Sequence, residues 1–218
     1  EQKCDVVILE TGLGGTYDST NACGVPDVTV IAKIGFDHMA ILGDTLAKIA
    51  AEKAGIIKHG TALVLESQEK EAMDVLNKAA ERADIETTKV INLDEIRILP
   101  QKDGKQCFSY AGYNAVTMKM LGVHQYENAV AAMLAAELFF EKYFAGKKNV
   151  PERKALQHAI REGIDRTQWM GRMELVSNDP FFLMDGAHNS NGVEALKKSL
   201  ETMYPDEKFH FIMGVMAD

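Results

Sequence analysis

Two hydrophobic periods divide this chain into elements. β-branched apolar runs at residues 5–10 and 28–34 predict strands covered on both faces, as in a parallel sheet, with a Gly, Asp and Asn-rich loop between them. In TLAKIAAEK, residues 45–53, Leu46, Ile49, Ala50 and Lys53 stand near helical spacing, with Asp44 or Thr45 as N-cap and Gly55 as stop. TALVLE, 61–66, reads as a further strand and EKEAMDVLNKAAERAD, 69–84, as an amphipathic helix. From Val90 to Met120, short alternating segments flank Lys102-Asp103-Gly104 and Gly112 and predict a small antiparallel meander. Helices follow over 125–144 and from Pro151 to about Glu162, where Pro suits a first turn, and 165–174 reads as a connector. FFLMD, a helix from about Asn191 to Met203, and KFHFIMGV then form a βαβ pattern, which implies right-handed parallel pairing. The expected class is α/β: a mostly parallel sheet flanked by helices, a small antiparallel meander, and a partial βαβ domain at the C-terminal end.

With 218 residues, the chain is long enough for one sizeable domain, or one domain and part of another. Hydrophobic (46%) and charged (26%) fractions are those of a soluble globular protein and exclude disorder or a fibre. A net charge of −8 without a Lys/Arg block argues against a nucleic-acid surface, but leaves small anionic substrates open, because local fields govern those. Cys4, Cys23 and Cys107 are far apart and form no CxxC pair, as expected of a reduced, cytoplasmic protein. No apolar run approaches the roughly 20 residues of a membrane span, and residues 1–20 hold no signal-type pattern. EQKCDVVILE lacks an initiating Met and enters a strand at once, so the chain is expected to begin inside a larger protein.

Candidate chemistry clusters where the predicted strands stop, and in open parallel sheets ligands bind at strand carboxyl ends. Glu10 ends VVIL and precedes Thr11-Gly12-Leu13-Gly14-Gly15; it reads equally as a Mg²⁺ ligand or as a surface residue in a strand-to-helix turn. These glycines spell no nucleotide loop, since Tyr17 breaks GxGxxG and GxxxxGK[ST] is nowhere in the sequence. Asp37-His38 ends the second strand, where the histidine suits a metal or proton transfer and the aspartate suits a cap. By spacing alone Lys53 complements a helix C-terminus; the alternative is a neutral amine that takes up carbon dioxide as a carbamate and so becomes an oxygen ligand. Asp185-Gly186-Ala187-His188-Asn189 joins a strand to a helix N-terminus, a setting for a polar or anionic substrate, or for a simple cap at Asn189 or Asn191. His59, His158 and His210 fit no metal spacing, and the eleven methionines read as core filler.

Six segments in order, ETGLGGTYDSTN (10–21), IGFDH (34–38), LGDTLAKIAAEKAGIIKHG (42–60), LGVHQYENAVAA (121–132), WMGRMELV (169–176) and DGAHNSNGVEAL (185–196), resemble the folylpolyglutamate synthase and dihydrofolate synthase family of the Mur ligase superfamily. The resemblance implies ATP-dependent joining of L-glutamate to a folate or dihydropteroate carboxylate through an acyl phosphate, with Mg²⁺ neutralising charge on the phosphoryl oxygens. It implies Glu10 and His38 as Mg²⁺ ligands and a carbamylated Lys53. It further implies Asn128 at the nucleotide, Arg172 on ATP phosphate, and Asp185 and His188 near the glutamate and acyl phosphate. Residues 1–166 would belong to the central ATP-binding domain, and 167–218 would be the connector and the start of the glutamate-ligase domain. An intact, cytoplasmic, monomeric enzyme would act on small molecules, with no nucleic acid and no membrane as partner.

Some positions depart from the family pattern. Thr16-Tyr17 stands for the usual Arg-Leu, Met170 for the Pro before Gly-Arg, and Ser190 for the Pro after Asn189. The family's P-loop segment and most of its C-terminal domain have no counterpart, so these 218 residues alone are expected not to turn over. The competing readings are a Mur-type ligase for another acid and a non-catalytic binding module that keeps the fold.

Overall fold

One short apolar strand is paired along both of its edges. The computed structural model describes residues 3–214. In it β1 (Val28–Ile31), β2 (Ala62–Leu65) and β3 (Thr88–Val90) form a parallel sheet in the order β1-β2-β3, with Val28 opposite Ala62 and Leu63 opposite Thr88. Ladder bonds on both edges and side chains on both faces leave every residue of β2 buried, the environment that selects an unbroken apolar run. β1 is an edge strand and exposes Val30, so two-sided coverage holds for β2 rather than for β1.

The helices of this part follow their sequence signals. The crossover from β1 to β2 carries a single turn, α1 (Met39–Leu42), and then α2 (Leu46–Ala54). Thr45 resolves the choice of N-cap, because its side chain accepts from the Lys48 amide at 3.2 Å, while Asp44 pairs with the Lys48 ammonium at 2.8 Å. α3 (Lys70–Arg82) returns to β3, a strand that the alternation signals missed because all three of its residues are exposed. Ile49 of α2 and Leu76 of α3 share a core with Ile31, Leu63 and Leu65 of the sheet.

The antiparallel meander forms as expected from β4 (Arg97–Lys102), β5 (Lys105–Tyr110) and β6 (Tyr113–Met118), with left-handed Asp103 and Ala111 in its turns. α4 spans Gln125–Phe144, and its Tyr126 ring meets Phe108 of β5 edge-on at 5.7 Å. α5 (Arg153–Arg166) starts after N-cap Glu152, so Pro151 precedes the first turn instead of occupying it. Asp165 of α5 holds the meander: Lys105 Nζ donates to both its oxygens at 2.7 and 2.8 Å, and the Thr117 hydroxyl donates at 2.6 Å. These bonds keep the Asp165 carboxyl below its ordinary range.

Two expected strands are not paired. Val6–Leu9 make no ladder and are exposed, Ile8 by 94%, so the run at residues 5–10 is not a buried strand. Apolar periodicity states what a segment can bury and not what lies beside it. At the other end β8 (Phe181–Met184) pairs antiparallel with β7 (Glu174–Asn178) through the Asp179-Pro180 turn, and α6 (Ser190–Met203) follows. Residues 208–214 carry no strand, and Val215 lies outside the described residues, so the βαβ pattern is present only as its first βα step. The chain divides into two compact units, Glu1–Ile91 with Glu137–Ala145, and Asn92–Ala136 with Gly146–Asp218.

Because Leu63 is fully buried in the central strand, Leu63→Ala should cost about 2–5 kcal/mol of unfolding free energy in a urea titration. Ile8→Ala, at an exposed position of the unpaired segment, should cost less than about 0.5 kcal/mol in the same titration.

Candidate active site

In the first unit, the residues around Glu10 are shaped by one carboxylate. Asp18 Oδ2 accepts from the amides of Gly12 and Leu13 at 3.0 and 3.1 Å, and Oδ1 accepts from the Thr20 amide and hydroxyl at 2.9 and 2.6 Å. These donors, with the Thr20 hydroxyl foremost, lower the Asp18 pKa to about 2. The closed loop docks on the C-terminal end of α2. Thr16 donates through its amide to the Glu52 carbonyl at 3.0 Å, and Asn21 Nδ2 donates to Gly55 O at 3.1 Å, so helix-end carbonyls gain partners. A Cβ at Gly15 would lie 2.7 Å from Glu52 O and 2.9 Å from Lys53 O, which is why that position has no side chain. Glu10 itself is exposed just ahead of this loop, and Lys53 is half-buried in the last turn of α2, beneath it.

His38 sits where the chain leaves β1, as the left-handed N-cap of α1 with φ 47°. Its amide donates to Asp37 Oδ1 at 2.9 Å, and its exposed ring lies 3.8 Å from the same oxygen. A left-handed non-glycine residue is uncommon and costs on the order of 1–3 kcal/mol, so surrounding contacts must hold it. The preceding residues supply them. Glu66, buried at the end of β2, accepts from the Lys33 amide at 2.7 Å, and Gln68 accepts from the Ile34 amide at 2.8 Å while donating to Ala32 O at 2.9 Å. Among the described residues no three His, Cys, Asp or Glu side chains converge as a metal-holding group. The Glu10 carboxylate oxygen suits Mg²⁺, which keeps most of its shell in water or phosphate oxygens, and His38 would add a single ring nitrogen to that shell.

The second unit gathers the other candidates. Asp185, at the end of β8, accepts from the Met173 amide through Oδ2 and from the Ala187 amide through Oδ1, both at 2.8 Å, and so fastens the Gly171–Met173 connector to the DGAHN loop. A Cβ at Gly186 would lie 3.3 Å from Gly171 O and 3.9 Å from the Arg172 guanidinium, so the two segments are in contact. His188 Nδ1 lies 2.8 Å from Gly186 O; as a carbonyl only accepts, the proton is on Nδ1 and Nε2 is the basic nitrogen. Asn189 caps α6 by accepting from the Gly192 amide at 2.8 Å. Ahead of α4 stands half-buried His124. Burial lowers its pKa from 6.5, the charge of Asp185 acts against that, and Arg172 adds to it. Asn128 is exposed one turn into α4, with its Nδ2 donating to Gln125 Oε1 at 3.0 Å.

These arrangements have close relatives. The Mur ligase middle domain matches residues 1–136, and the Mur ligase glutamate ligase domain matches residues 171–218. The chain belongs to the Mur ligase family. It is 38% identical over 225 residues to a dihydrofolate synthase/folylpolyglutamate synthase of Bacillus subtilis, in an alignment covering 99% of this chain and 49% of the relative. A solved FPGS-AMPPCP-folate complex aligns over 90% of this chain and 47% of its own, with a TM-score of 0.79 and 26% identity. Mycobacterium tuberculosis folylpolyglutamate synthase complexed with ADP aligns over 87% and 42%, with a TM-score of 0.71 and 31% identity. The chain thus spans about half the length of these relatives.

On this Mur ligase chain the structure sets Glu10, His38 and Lys53 in the first unit, with the Glu10 loop resting on the helix end that carries Lys53. It groups Arg172 and Asp185 around His124 in the second, where Asn128 and His188 also belong. Reading by motif passed over Asp18, Glu66, His124 and Gln125. Their signals were present: an acid before Ser-Thr-Asn, a charge closing the apolar run TALVLE, and a His-Gln pair opening a helix.

Two measurements check this electrostatic account. Asp18 binds its proton more weakly in the folded chain than in the unfolded one, so the contribution it makes to loop order is full above about pH 4 and disappears as pH falls through about 2. Protection of the Gly12 and Leu13 amides against exchange should fall roughly tenfold or more in Asp18→Asn, and the protection factor should lose its dependence on pH in that range. For His124, whose folded pKa is depressed, stability should fall as pH drops below 6.5 and level off once the folded ring is also protonated. Urea midpoints of His124→Phe should lack that component.

Proposed function

We propose that the whole protein is an ATP-dependent ligase that joins L-glutamate to a folate or dihydropteroate carboxylate. The carboxylate attacks the γ-phosphate of ATP and ADP departs, leaving an acyl phosphate. The glutamate amine then attacks the acyl carbon, phosphate leaves, and the amine gives up a proton as the amide forms. Phosphoryl transfer of this kind asks the protein for position and charge rather than covalent chemistry.

Roles follow from what each side chain can do. Arg172 is exposed and permanently cationic, suited to phosphate oxygens. Asn128 offers an amide edge to the base. His188, with its proton held on Nδ1, presents basic Nε2 to the incoming ammonium. Asp185 spends both oxygens on backbone amides, so it orders the loop that carries His188. Glu10 and His38 would hold Mg²⁺, which when bound neutralises charge on the transferring phosphoryl group. Lys53, once its neutral amine has added to carbon dioxide with loss of a proton, supplies an anionic oxygen from the end of α2.

The observation that carries this reading is the joining of the GRM connector to the DGAHN loop through Asp185, beside the His124 start of α4, in a Mur ligase chain. The chain has no GxxxxGK[ST] loop, so turnover is assigned to the whole protein and not to these 218 residues. The full-length protein should release phosphate from ATP only when Mg²⁺, L-glutamate, and dihydropteroate or tetrahydrofolate are all supplied. Glu10→Ala and His188→Ala should each slow release by roughly 100-fold or more. Absence of release with either pterin would refute the folate assignment in favour of another acid substrate or a non-catalytic module.

A further inference from the structure

The first turn of α4 contains a line of polar contacts whose direction matters. Gln125 Nε2 lies 3.1 Å from His124 Nε2, and Gln125 Oε1 accepts from Asn128 Nδ2 at 3.0 Å. An amide nitrogen only donates, so His124 Nε2 is the acceptor and the ring proton is on Nδ1. That Nδ1 is buried and has no hydrogen-bond partner among the described residues. Nothing at Nδ1 therefore selects the tautomer; Gln125 does.

The backbone beside the ring is fixed. Gly122, at φ +111°, leaves the space: a Cβ there would lie 2.7 Å from Cε1 and 3.0 Å from Nδ1 of His124. Its carbonyl accepts from the buried Gln106 side chain and from the Gln125 amide, each at 3.1 Å. Any side chain at position 122 would therefore meet the His124 ring, and burial disfavours the charged form of that ring.

The same three side chains have one alternative direction. His124 Nε2–H would donate to Gln125 Oε1, and the Gln125 amide nitrogen would donate to Asn128 Oδ1. That direction occupies the acceptor of Asn128. The observed one occupies a single N–H and leaves Oδ1 together with the second N–H, an acceptor–donor pair that matches the amino group and ring nitrogen of adenine. On the edge that carries N7, a 6-oxopurine presents two acceptors and repels Oδ1.

We infer that His124 and Gln125 are positioning residues that hold the Asn128 amide in the orientation that reads adenine against 6-oxopurines. This deepens the ATP-ligase reading and rests on it. ATP and ITP dissociation constants of the full-length protein, with ¹⁵N ring shifts of His124, test it. The wild type should prefer ATP by roughly five- to 100-fold and show an Nδ1–H ring. Gln125→Leu and Asn128→Ala should bring that preference to within about twofold. Gln125→Glu can only accept: it still takes the Asn128 N–H, so the preference should survive while the ring proton moves to Nε2. A fold defect would not separate Leu from Glu in this way. An Nε2–H ring in the wild type overturns the inference alone. So does a Gln125→Leu protein that keeps its preference when Asn128→Ala has lost it, or a folded Gln125→Glu protein that loses its preference with Leu. A wild type that binds neither nucleotide overturns the ligase reading and the inference together.

Discussion

Every loop that carries a candidate residue is held by a side-chain oxygen accepting from backbone N–H groups. Glycine-rich turns at strand ends have amides that no ladder or helix satisfies, and a buried or crowded amide without a partner is costly. Asp18 takes the amides of Gly12 and Leu13, Glu66 takes that of Lys33, and Asp185 takes those of Met173 and Ala187. Charged acceptors make the stronger kind of hydrogen bond, and one carboxylate reaches two segments at once. Remove these acceptors and the loops keep their sequence but lose the geometry on which any shared chemistry depends.

That constraint explains a division of labour among the acids. Those facing backbone amides order loops, whereas Glu10 is exposed and has its carboxylate outward. The histidines divide likewise. His188 is exposed and keeps Nε2 basic by giving its proton to Gly186 O, a setting for proton transfer or ligation. His124 is half-buried, with no partner for Nδ1 among the described residues, a setting in which charge is disfavoured and the ring serves through its hydrogen bond to Gln125. Residue type alone would have given both the same role.

What the sequence made legible was local. Thr45 and Gly55 bracket α2 because capping chemistry acts within one turn, and the Asp103-Gly104 and Ala111-Gly112 turns place the meander because only certain residues tolerate the left-handed region. Pairing partners were not legible. Val6–Leu9 and Phe181–Met184 have the same apolar character, yet one is unpaired and the other is in a hairpin with β7, a strand the sequence patterns did not assign. The candidate site was read as motif, since Glu10, His38, Lys53, Asn128, Arg172, Asp185 and His188 were all named from their place in the family pattern. The acceptors that shape it were not, because Asp18 and Glu66 act through contacts across 5 and 33 residues that no local pattern encodes.

A chain that binds a nucleotide for phosphoryl transfer must fix the donor before the reaction gains anything from charge. Position errors of about an ångström forfeit most of the proximity advantage. Here rigidity is supplied from behind each candidate group: the helix end under Gly15, the β2 terminus behind the His38 loop, and the Asp185 clasp beneath His188. Asn128 fits the same rule at a finer scale. An amide on a helix surface can turn over at little cost, and turned over it offers the wrong edge to a base. Linking it through Gln125 to a half-buried ring beside Gly122 gives a freely reversible group a defined face. Orientation of a single amide is then tied, through Gln125, to the tautomer of a ring four positions earlier, which is how a local hydrogen-bond chain in this fold reaches the selection of a ligand.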